Sequence, residues 1–585
     1  MAIGCTPIDS IASQPTELVA IHRDGQTFLT WREPKPQLTD PSTTVGDVRK
    51  LLKEFKQKPP TTTYRIYRSD RPITSVKGLQ SVGETDTLSC WNRSLWSTDR
   101  NTADKEPALR YVIEEGKPPL TPGTGLYVHN PQLTQSSTAF YAVTVVENGV
   151  ENIAIGPGNA IQSAIAEVPG MGTPVLQSEE KRDEFQFVKV HPTLQYYVKW
   201  DAPPNANREN MPNDLLVAIP SGRERPTSLG LHLHCWGGSP WGGYGWWFNA
   251  ERGAVLLAPN QDPYDWWTGY HELLGIRAKT EANWKKYKVY PYTQRRLLSL
   301  TDWAIRKWQL DPEQTFVAGN SMGGSGAPMM ALRHPDQFAW AVSWVGVHVP
   351  ELSPRFKASY AAVYGEQEWK VLFEDGSLAW EYFNDAAFLR RYPERETPFI
   401  TFANGKNDSG IGWEQATEFV KALQETKRPH LFVWGQNEHN QRAVMPKSLE
   451  QQINPLQLRV RQSLPAFTRC SLDGNLGNGS PDDGDSTGGI NMYLYWETEN
   501  IVDTEQAWEM TVQLAAKCPK SSCTVNLTPR RLQGFHPRPG ESLRWSNREG
   551  KETIQSGSVT VDKHGLATLE GLQVSKSGNR IRIER

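Results

Sequence analysis

The sequence predicts a multidomain protein in which a mostly parallel β-sheet with flanking helices lies between an N-terminal and a C-terminal β-sandwich domain. A chain of 585 residues is too long for a single hydrophobic core. Its middle part alternates apolar strand-like runs with segments of helical periodicity, whereas the parts on either side contain short strand-like runs separated by turn residues. We place the domains at residues 15–158, 159–455 (with a core from about 185) and 456–585.

The charge balance argues against polyanionic partners. The chain has 63 Lys and Arg against 65 Asp and Glu, a formal charge of −2, so no nucleic-acid partner is expected. No apolar run reaches the roughly 18 residues that a membrane span needs. The start, MAIGCTPIDS, lacks a charged and apolar leader, which fits either a cytoplasmic protein or one whose leader has been removed. We favour removal and expect an extracellular or periplasmic location.

The six cysteines have no zinc-type spacing, and no metal site is predicted. His232 and His234 resemble a metal pair, but no third ligand follows at a suitable spacing. The best local candidate for a disulfide is Cys518 with Cys523, in CPKSSC, if the compartment is oxidising. Cys235 lies in an apolar run and is expected to be a small buried thiol.

Strand-like runs dominate residues 15–158, and clusters of Pro, Asp and Gly separate them. They predict a β-sandwich. In their order, TFLTW, YRIYRS and FYAVTVVENGVE resemble a fibronectin type III module, and the resemblance implies core positions for Trp31 and Tyr141. The polar stretch from Trp91 to about Pro131 is then expected to be a long inserted loop.

The middle domain is predicted to contain six strands, namely LGLHLH (229–234), AVLLAP (254–259), TFVAG (315–319), AWAVSWVGV (339–347), PFITFA (398–403) and HLFVW (430–434). Between them, apolar side chains recur at helical spacing, as at Leu297, Leu300, Ala304 and Trp308. This alternation favours βαβ units and hence a largely parallel sheet.

The C-terminal part begins with a Gly/Asp/Asn-rich stretch, SLDGNLGNGSPDDGDSTGG, and continues with the strand-like runs NMYLYW, WEMTVQL and SVTVD. These runs predict the second sandwich. Asp482, Asp483 and Asp485 in the stretch are candidate calcium ligands, but their spacing does not fit an EF-hand, and a solvated linker is favoured.

The motif with the clearest chemical meaning is Gly319-Asn320-Ser321-Met322-Gly323, which has the form G-x-S-x-G. It follows the run TFVAG and precedes a predicted helix that ends near ALRHP, so a strand would turn sharply into a helix with the serine at the apex. The helix start offers backbone N–H groups to an oxyanion. Ser321 is therefore the predicted nucleophile, and the alternative is a glycine-rich loop with an idle serine.

A serine nucleophile needs a histidine and a carboxylate further along the chain. Asp408 follows the run PFITFA, and His439 follows HLFVW, which gives the order Ser, Asp, His. Because ligand sites in open α/β sheets gather at the carboxyl ends of the strands, we expect all three residues at one edge. Asp385 is the substitute acid if Asp408 does not reach the histidine.

A second oxyanion donor is expected in the loop after an earlier strand. The stretch His234-Cys235-Trp236-Gly237-Gly238 is similar to an H-G-G-G loop with bulky residues in two places. The N–H of Met322 is therefore expected to pair with the N–H of Cys235 or with that of Trp236.

Taken together, these motifs make residues 185–455, under half of the chain, look like an α/β-hydrolase. The segment resembles the secreted esterases related to polyhydroxybutyrate depolymerases and to feruloyl or acetyl xylan esterases. The resemblance implies hydrolysis of carboxylic esters, on a polysaccharide or in a polyester, through a Ser–His–Asp triad and an acyl-enzyme, with no metal or organic cofactor. The flanking modules are similar to those of extracellular enzymes that act on polymers, which implies contact with polysaccharide.

Aromatic residues are concentrated near predicted strand ends, in WGGSPWGGYGWWF and PYDWWTGYH. Their faces can stack on sugar rings, phenolic acids or polyester units, although about half of them are expected to pack the loops instead. The predicted substrate contacts are Trp241, Tyr244, Trp246, Trp247, Trp266, Trp267 and Tyr270.

Two other functions stay open at this point. A serine peptidase of the prolyl oligopeptidase type shares the catalytic fold, but the N-terminal 180 residues show neither the length nor the repeats of its propeller. A non-catalytic carbohydrate-binding or adhesion protein would use the same sandwiches and aromatic loops. The intact Ser, Asp and His in the expected order argue against this second alternative.

Overall fold

A computed structural model describes residues 13–94, 103–182, 192–221, 227–241, 254–441, 449 and 453–585. The chain forms two compact units. The first comprises Met1–Glu180 and Gln195–Leu216, and the second comprises Lys181–Leu194 and Val217–Arg585. The C-terminal residues 456–585 thus lie in the same unit as most of the predicted hydrolase segment, whose residues 195–216 belong to the first unit.

The helices and strands up to residue 219 are mostly antiparallel strands. They are β1 (Thr16–Arg23), β2 (Gln26–Arg32), α1 (Val45–Gln57), β3 (Thr62–Ser69), β4 (Ser81–Asp86), β5 (Thr124–His129), β6 (Ser137–Glu147), β7 (Val150–Glu151), β8 (Ile165–Glu167), β9 (Val175–Lys181), β10 (Thr193–Asp201) and β11 (Met211–Ile219).

Strands and helices alternate in the next part of the chain. They are β12 (Ser228–Leu233), β13 (Ala254–Pro259), β14 (Tyr270–His271), α2 (Glu281–Trp284), β15 (Lys288–Tyr290), α3 (Tyr292–Trp308), β16 (Thr315–Asn320), α4 (Met322–Arg333), β17 (Trp340–Trp344), α5 (Lys357–Tyr364), β18 (Leu372–Phe373), α6 (Ala379–Tyr382), α7 (Asp385–Arg391), β19 (Phe399–Gly405), α8 (Trp413–Glu425) and β20 (His430–Gly435).

The C-terminal part consists of strands. They are β21 (Leu464–Thr468), β22 (Gly488–Ile490), β23 (Leu494–Trp496), β24 (Val502–Asp503), β25 (Ala507–Leu514), β26 (Ser522–Arg530), β27 (Ser542–Glu549), β28 (Glu552–Thr560), β29 (Leu569–Ser575) and β30 (Asn579–Glu584). Single turns of 3₁₀ helix lie at Ala103–Lys105, Pro350–Leu352, Gln367–Trp369, Pro455–Gln457 and Thr498–Asn500.

The first unit is mostly β-sheet, and two antiparallel sheets in it share one core. One sheet has the order β1-β2-β5, and the other has the order β4-β3-β6-β7 with β8 paired to β6. Trp31 of the first sheet and Tyr64 and Tyr141 of the second are buried in this core. The rings of Trp31 and Tyr64 meet edge to face with centroids 5.3 Å apart, a favourable aromatic arrangement.

Two segments of the first unit differ from the sequence prediction. Helix α1 occupies a stretch in which only strands and turns were expected, and its local signal is the capping box formed by Thr44 and Asp47. The stretch from Trp91 to Pro131, which was expected to be an inserted loop, contains strand β5. All six residues of β5 are buried and pair with β2, so its long-range partner determines its structure.

The second unit contains the predicted parallel sheet. Seven strands are neighbours in the order β22-β20-β19-β17-β16-β12-β13. All neighbouring pairs are parallel except β22 with β20, which is antiparallel. Strands such as β13 and β20 are buried along their whole length, as expected for a sheet covered on both faces. The α/β-hydrolase fold predicted for this part of the chain is thereby confirmed.

The C-terminal strands form two antiparallel sheets. One has the order β21-β26-β29, and the other has the order β23-β25-β30-β27-β28 with β24 paired to β25. In β25 the buried side chains Trp508, Met510, Val512 and Leu514 alternate with less buried ones, which is the period of a sheet with one covered face.

The Gly/Asp/Asn-rich stretch before these sheets is not the solvated linker that we favoured from the sequence. It accepts hydrogen bonds from Lys406, just after β19, and from Trp434, near the end of β20, and its own end forms β22 at the edge of the parallel sheet. The ammonium of Lys406 donates to the backbone oxygens of Asp483 and Asp485 in this stretch.

Cys518 and Cys523, the disulfide pair favoured from the sequence, are not bridged to each other in this structure. Cys523 instead has its sulfur 4.0 Å from that of Cys470. The pairing of β21 with β26 explains this difference, because the chain that leaves β21 continues along the start of β26, with the N–H of Ser471 donating to the Thr524 oxygen. Cys518 lies in the turn before β26.

Within the described residues, no helix combines the length and the apolar character needed to cross a bilayer. The same part of the chain holds no group of three or more His, Cys, Asp or Glu side chains arranged to bind a metal ion.

Candidate active site

Ser321 lies at the apex of a sharp turn between β16 and α4. Its backbone has φ 57° and ψ −117°, a conformation that is strained for a residue with a side chain. A Cβ at Gly319 would lie 2.3 Å from the carbonyl group of Gly323, and a Cβ at Gly323 would lie 1.9 Å from the oxygen of Leu233. Both glycines of the motif are therefore required, because β16, α4 and the neighbouring strand β12 approach one another too closely for a side chain.

The structure brings Ser321, Asp408 and His439 together in one hydrogen-bonded line. The hydroxyl of Ser321 donates to Nε2 of His439 at 2.8 Å, and Nδ1 of His439 donates to Oδ2 of Asp408 at 2.6 Å. The other oxygen of Asp408 accepts from the backbone N–H groups of Gly410 and Ile411, both at 3.1 Å. The carboxylate is therefore fixed on both sides, and it orients the imidazole.

The sheet order explains why residues so distant in sequence meet. Strands β19 and β20 are parallel neighbours, with Gly405 opposite Gly435 at their carboxyl ends, so the loops that carry Asp408 and His439 begin side by side. Strand β16 ends at the same edge and delivers Ser321. The imidazole of His439 is 44% exposed, whereas the side chain of Asp408 is 5% exposed.

Asp385, the substitute acid, occupies a different site. It forms an ion pair with Arg333 at the end of α4, and its second oxygen lies 3.5 Å from Nδ1 of His348. Nε2 of His348 is in turn 3.4 Å from the hydroxyl of Ser343. All four side chains are buried, so the second, buried line of Ser343, His348 and Asp385 is closed to a substrate. The ion pair of Arg333 with Asp385 ties the end of α4 to the start of α7.

A tight turn follows β12 at the position predicted for the second oxyanion donor. The carbonyl of Cys235 accepts from the N–H of Gly238 at 2.9 Å and from Nδ1 of His234 at 2.8 Å. Gly237 has φ +69°, which favours glycine at this turn position. Burial lowers the pKa of His234 to about 4, so the ring is neutral at ordinary pH, and the bond to a carbonyl requires its proton on Nδ1.

The neighbouring peptide groups distinguish the two candidate donors. The carbonyl of His234 accepts from Nε1 of Trp267, and it would lie 3.0 Å from a Cβ at Gly323, so it faces α4. In a planar trans peptide the N–H points opposite the carbonyl. The N–H of Cys235 is therefore directed away from α4, while that of Trp236 is directed away from the interior of the turn.

Most of the predicted substrate-binding aromatic residues in the described ranges are packed into the core. Trp266 and Trp267 are fully buried, and Trp266 stacks on Tyr360 with centroids 4.3 Å apart. Tyr270 is also buried. Trp241 is half-buried below the guanidinium of Arg182. The remaining three predicted contacts, Tyr244, Trp246 and Trp247, lie outside the described residues.

One aromatic residue near the site, Tyr264, was not among the contacts predicted from the sequence. Its partner Trp236, named as a candidate oxyanion donor, is 49% exposed. This ring stacks on Tyr264 with centroids 4.9 Å apart and planes at 24°. Tyr264 belongs to the same PYDWW run as the two buried tryptophans, so only its position in the fold distinguishes it from them.

Comparison with known proteins relates the middle of the chain to hydrolases. The family model of the prolyl oligopeptidase family matches residues 279–450. S-formylglutathione hydrolase of Bos taurus is 26% identical over 197 residues, which cover 31% of this chain and 64% of that protein. The chain thus spans under two thirds of the length of the curated relatives it matches. The matched segment is related to serine hydrolases.

Among solved structures, two similar chains are a hydrolase and an esterase by their names. An S-formylglutathione hydrolase from Agrobacterium tumefaciens is 14% identical, covers 45% of this chain and 92% of its own, and has a TM-score of 0.33. A ferulic acid esterase from Anaeromyces mucronatus is 10% identical, covers 45% of this chain and 90% of its own, and has a TM-score of 0.28.

Proposed function

We propose that this protein is a serine esterase that hydrolyses carboxylic esters through an acyl-enzyme. The hydrogen-bonded line from Asp408 through His439 to Ser321 carries the proposal. His439 takes the proton of Ser321 as its oxygen attacks the ester carbonyl, and it then gives this proton to the leaving alcohol. Asp408 holds the imidazole in the required tautomer. Water, activated by the same histidine, releases the acid and restores Ser321.

The oxyanion is assigned to two backbone donors. Met322 is the first residue of α4, so its N–H has no partner within the helix. This N–H lies at the positive end of the helix dipole, which favours a negative charge. We assign the second donor to Trp236 rather than to Cys235, because the carbonyl that precedes Trp236 is held inside the turn by His234 and Gly238. Donors fixed in this way stabilise a developing negative charge without having to reorient.

The substrate proposed is an ester with a planar or ring-containing group, such as a feruloyl or another acyl group on a polysaccharide, or a polyester. The exposed stack of Trp236 on Tyr264 supports it, because such a surface binds flat rings. We further propose that the protein is secreted and that the N-terminal sheets form a fibronectin type III-like module. The C-terminal sheets are proposed to contact the polymer. A cysteine pair close enough to be bridged supports an oxidising compartment.

A second candidate function is a serine peptidase, which the prolyl oligopeptidase family model favours. The sheets that form the core around Trp31 have three and five strands, an arrangement unlike the repeated blades of a propeller. The esterase is therefore the preferred function.

One experiment separates these functions. The parent protein, Ser321→Ala and Ser343→Ala are offered p-nitrophenyl acetate, methyl ferulate and peptide p-nitroanilides. The esterase predicts ester turnover that is lost in Ser321→Ala and kept in Ser343→Ala, whose serine belongs to the second, buried line. Turnover of the anilides alone supports the peptidase, and an inactive parent protein supports a binding protein.

A further inference from the structure

The Gly/Asp/Asn-rich residues 473–490, here called the bridging loop, touch the loop that carries Asp408. The ammonium of Lys406, two residues before Asp408, donates to the backbone oxygen of Asp483 at 2.6 Å and to that of Asp485 at 3.1 Å. Lys406 is buried, and its ammonium also lies 5.5 Å above the ring of Trp413. A buried ammonium is costly unless it is fully hydrogen-bonded, so these contacts hold the acid loop to the bridging loop.

The same bridging loop touches the segment that leads to His439. The indole N–H of Trp434 donates to the oxygen of Asp485 at 3.0 Å, and the amide of Gln436 donates to the oxygen of Ser486 at 3.3 Å. Strand β22, at the end of the bridging loop, pairs with β20 from Phe432 to Trp434. One segment of the C-terminal region is therefore bonded to both loops of the proposed triad.

The glycines of the bridging loop allow this close approach. A Cβ at Gly474 would lie 2.7 Å from the ring of Trp434, and one at Gly488 would lie 2.5 Å from it, so the indole fits between two glycines. Leu476 packs against the apolar cluster that contains Phe432. The glycine content that resembles a linker in the sequence is required for packing against the catalytic sheet.

From these contacts we infer that the bridging loop positions the catalytic acid and histidine, with Lys406 as a positioning residue that the proposed esterase needs for full kcat. The inference rests on the proposed function for its catalytic consequence. Asp408 and His439 both lie in loops beyond strand ends, and a displacement of about 1 Å in such groups can reduce the rate on the order of a hundredfold. Lys406 is placed where it limits that displacement.

The test compares three variants of the full chain. Lys406→Met removes the ammonium and keeps the length of the side chain, whereas Lys406→Arg keeps a cationic donor. Lys427→Met is the matched control, since Lys427 bonds the C-terminal region at Asp562, in a partly buried ion pair that does not involve the triad loops. Each protein is measured for kcat and KM on p-nitrophenyl acetate, for Tm, and for hydrogen exchange of the amides in 404–411 and 434–441.

We expect Lys406→Met to lower kcat at least about tenfold with KM little changed, and to speed exchange in both segments. Lys406→Arg should recover part of kcat, and Lys427→Met should keep kcat within about twofold, because its ion pair contacts neither triad loop. The inference is overturned if Lys406→Met keeps its kcat, if its loss matches that of Lys427→Met, or if exchange changes in neither segment. A parent protein without esterase activity would contradict the proposed function. Hydrogen exchange would still decide whether the bridging loop fixes the loops that carry Asp408 and His439.

Discussion

The carboxylate of Asp408 is held by three donors, one of which is Nδ1 of His439 at 2.6 Å. The other two, the N–H groups of Gly410 and Ile411, bind its second oxygen. The two oxygens are therefore not equivalent: one is fixed by the turn of the backbone, and only the other faces the histidine. This asymmetry determines what an amide would do at the same position.

In Asp408→Asn, the amide oxygen should keep the two backbone N–H groups, because only an oxygen can accept from them. The NH₂ group then faces Nδ1 of His439 and forces the proton onto Nε2, which can no longer accept the proton of Ser321. We expect kcat to fall by about 10⁴ with the fold intact. Steady-state kinetics with circular dichroism tests this, and a loss below about tenfold would show that Asp408 does not set the tautomer.

The turn after β12 predicts a distinct effect of the residue at position 234. In His234→Asn the amide NH₂ can still donate to the carbonyl of Cys235, while His234→Leu removes the donor. We expect the leucine variant to lose on the order of tenfold to a hundredfold in kcat with KM little changed, because the N–H of Trp236 is less well fixed. The asparagine variant should retain most of the activity. Equal kinetics in both variants would contradict this role for the imidazole.

Short-range patterns made the triad predictable from the sequence. The strand, turn and helix around Ser321 are encoded within a few residues, and the loops of Asp408 and His439 each follow an apolar run that only a strand explains. The order of the parallel strands then brings these loops together, since sequence-adjacent β-α units tend to be spatial neighbours.

Features that depend on distant partners were not predictable in this way. Strand β5 is defined by β2, the Cys470–Cys523 proximity is defined by the pairing of β21 with β26, and the burial of Trp266 depends on the helix above it. The bridging loop is the clearest case. Its composition is that of a linker. The ring of Trp434 lies between Gly474 and Gly488 and leaves no room for a side chain at either position, which explains these two glycines.

Gly323, two residues after the proposed nucleophile, allows a test of stability. A methyl group in Gly323→Ala would meet the oxygen of Leu233 at 1.9 Å, a backbone atom that cannot move without displacing β12. We expect the substitution to destabilise the protein by about 3 kcal/mol and to reduce the soluble yield. Gly156→Ala is the control, because a Cβ there meets nothing within 4 Å, and its Tm should stay close to that of the parent. A Gly323→Ala protein with the parental Tm would exclude such close packing.

A buried carboxyl beside the site predicts a pH dependence of stability. Burial raises the pKa of Asp265 from its ordinary 3.8 to about 7. Between these values the folded chain keeps a proton that the unfolded chain releases, so the contribution of Asp265 is full below about pH 4 and is lost as the pH rises to about 7. The total loss is on the order of 4 kcal/mol. In Asp265→Asn this loss is absent, and calorimetry from pH 4 to 8 should show the Tm of the variant rising relative to that of the parent. A constant difference would contradict the raised pKa.

The two buried sulfurs at the β21–β26 pair predict which disulfide an oxidising medium forms. The sulfurs of Cys470 and Cys523 are 4.0 Å apart, so small rotations of the side chains suffice to bring them to bonding distance. With glutathione disulfide as the oxidant, the two thiols lose two electrons and two protons to give one S–S bond and two molecules of glutathione. The bond closes a loop of 53 residues and should stabilise the fold by about 4 kcal/mol.

Peptide mapping without reduction should therefore find Cys470 linked to Cys523. The oxidised protein should have a higher Tm than the reduced one, and Cys470→Ser should abolish this difference. Cys518→Ser is the control that should leave it unchanged, since Cys518 lies in the turn outside the pair. A link between Cys518 and Cys523 would instead mean that the start of β26 rearranges, because the antiparallel register of β26 with β29 places Cys523 opposite Val574.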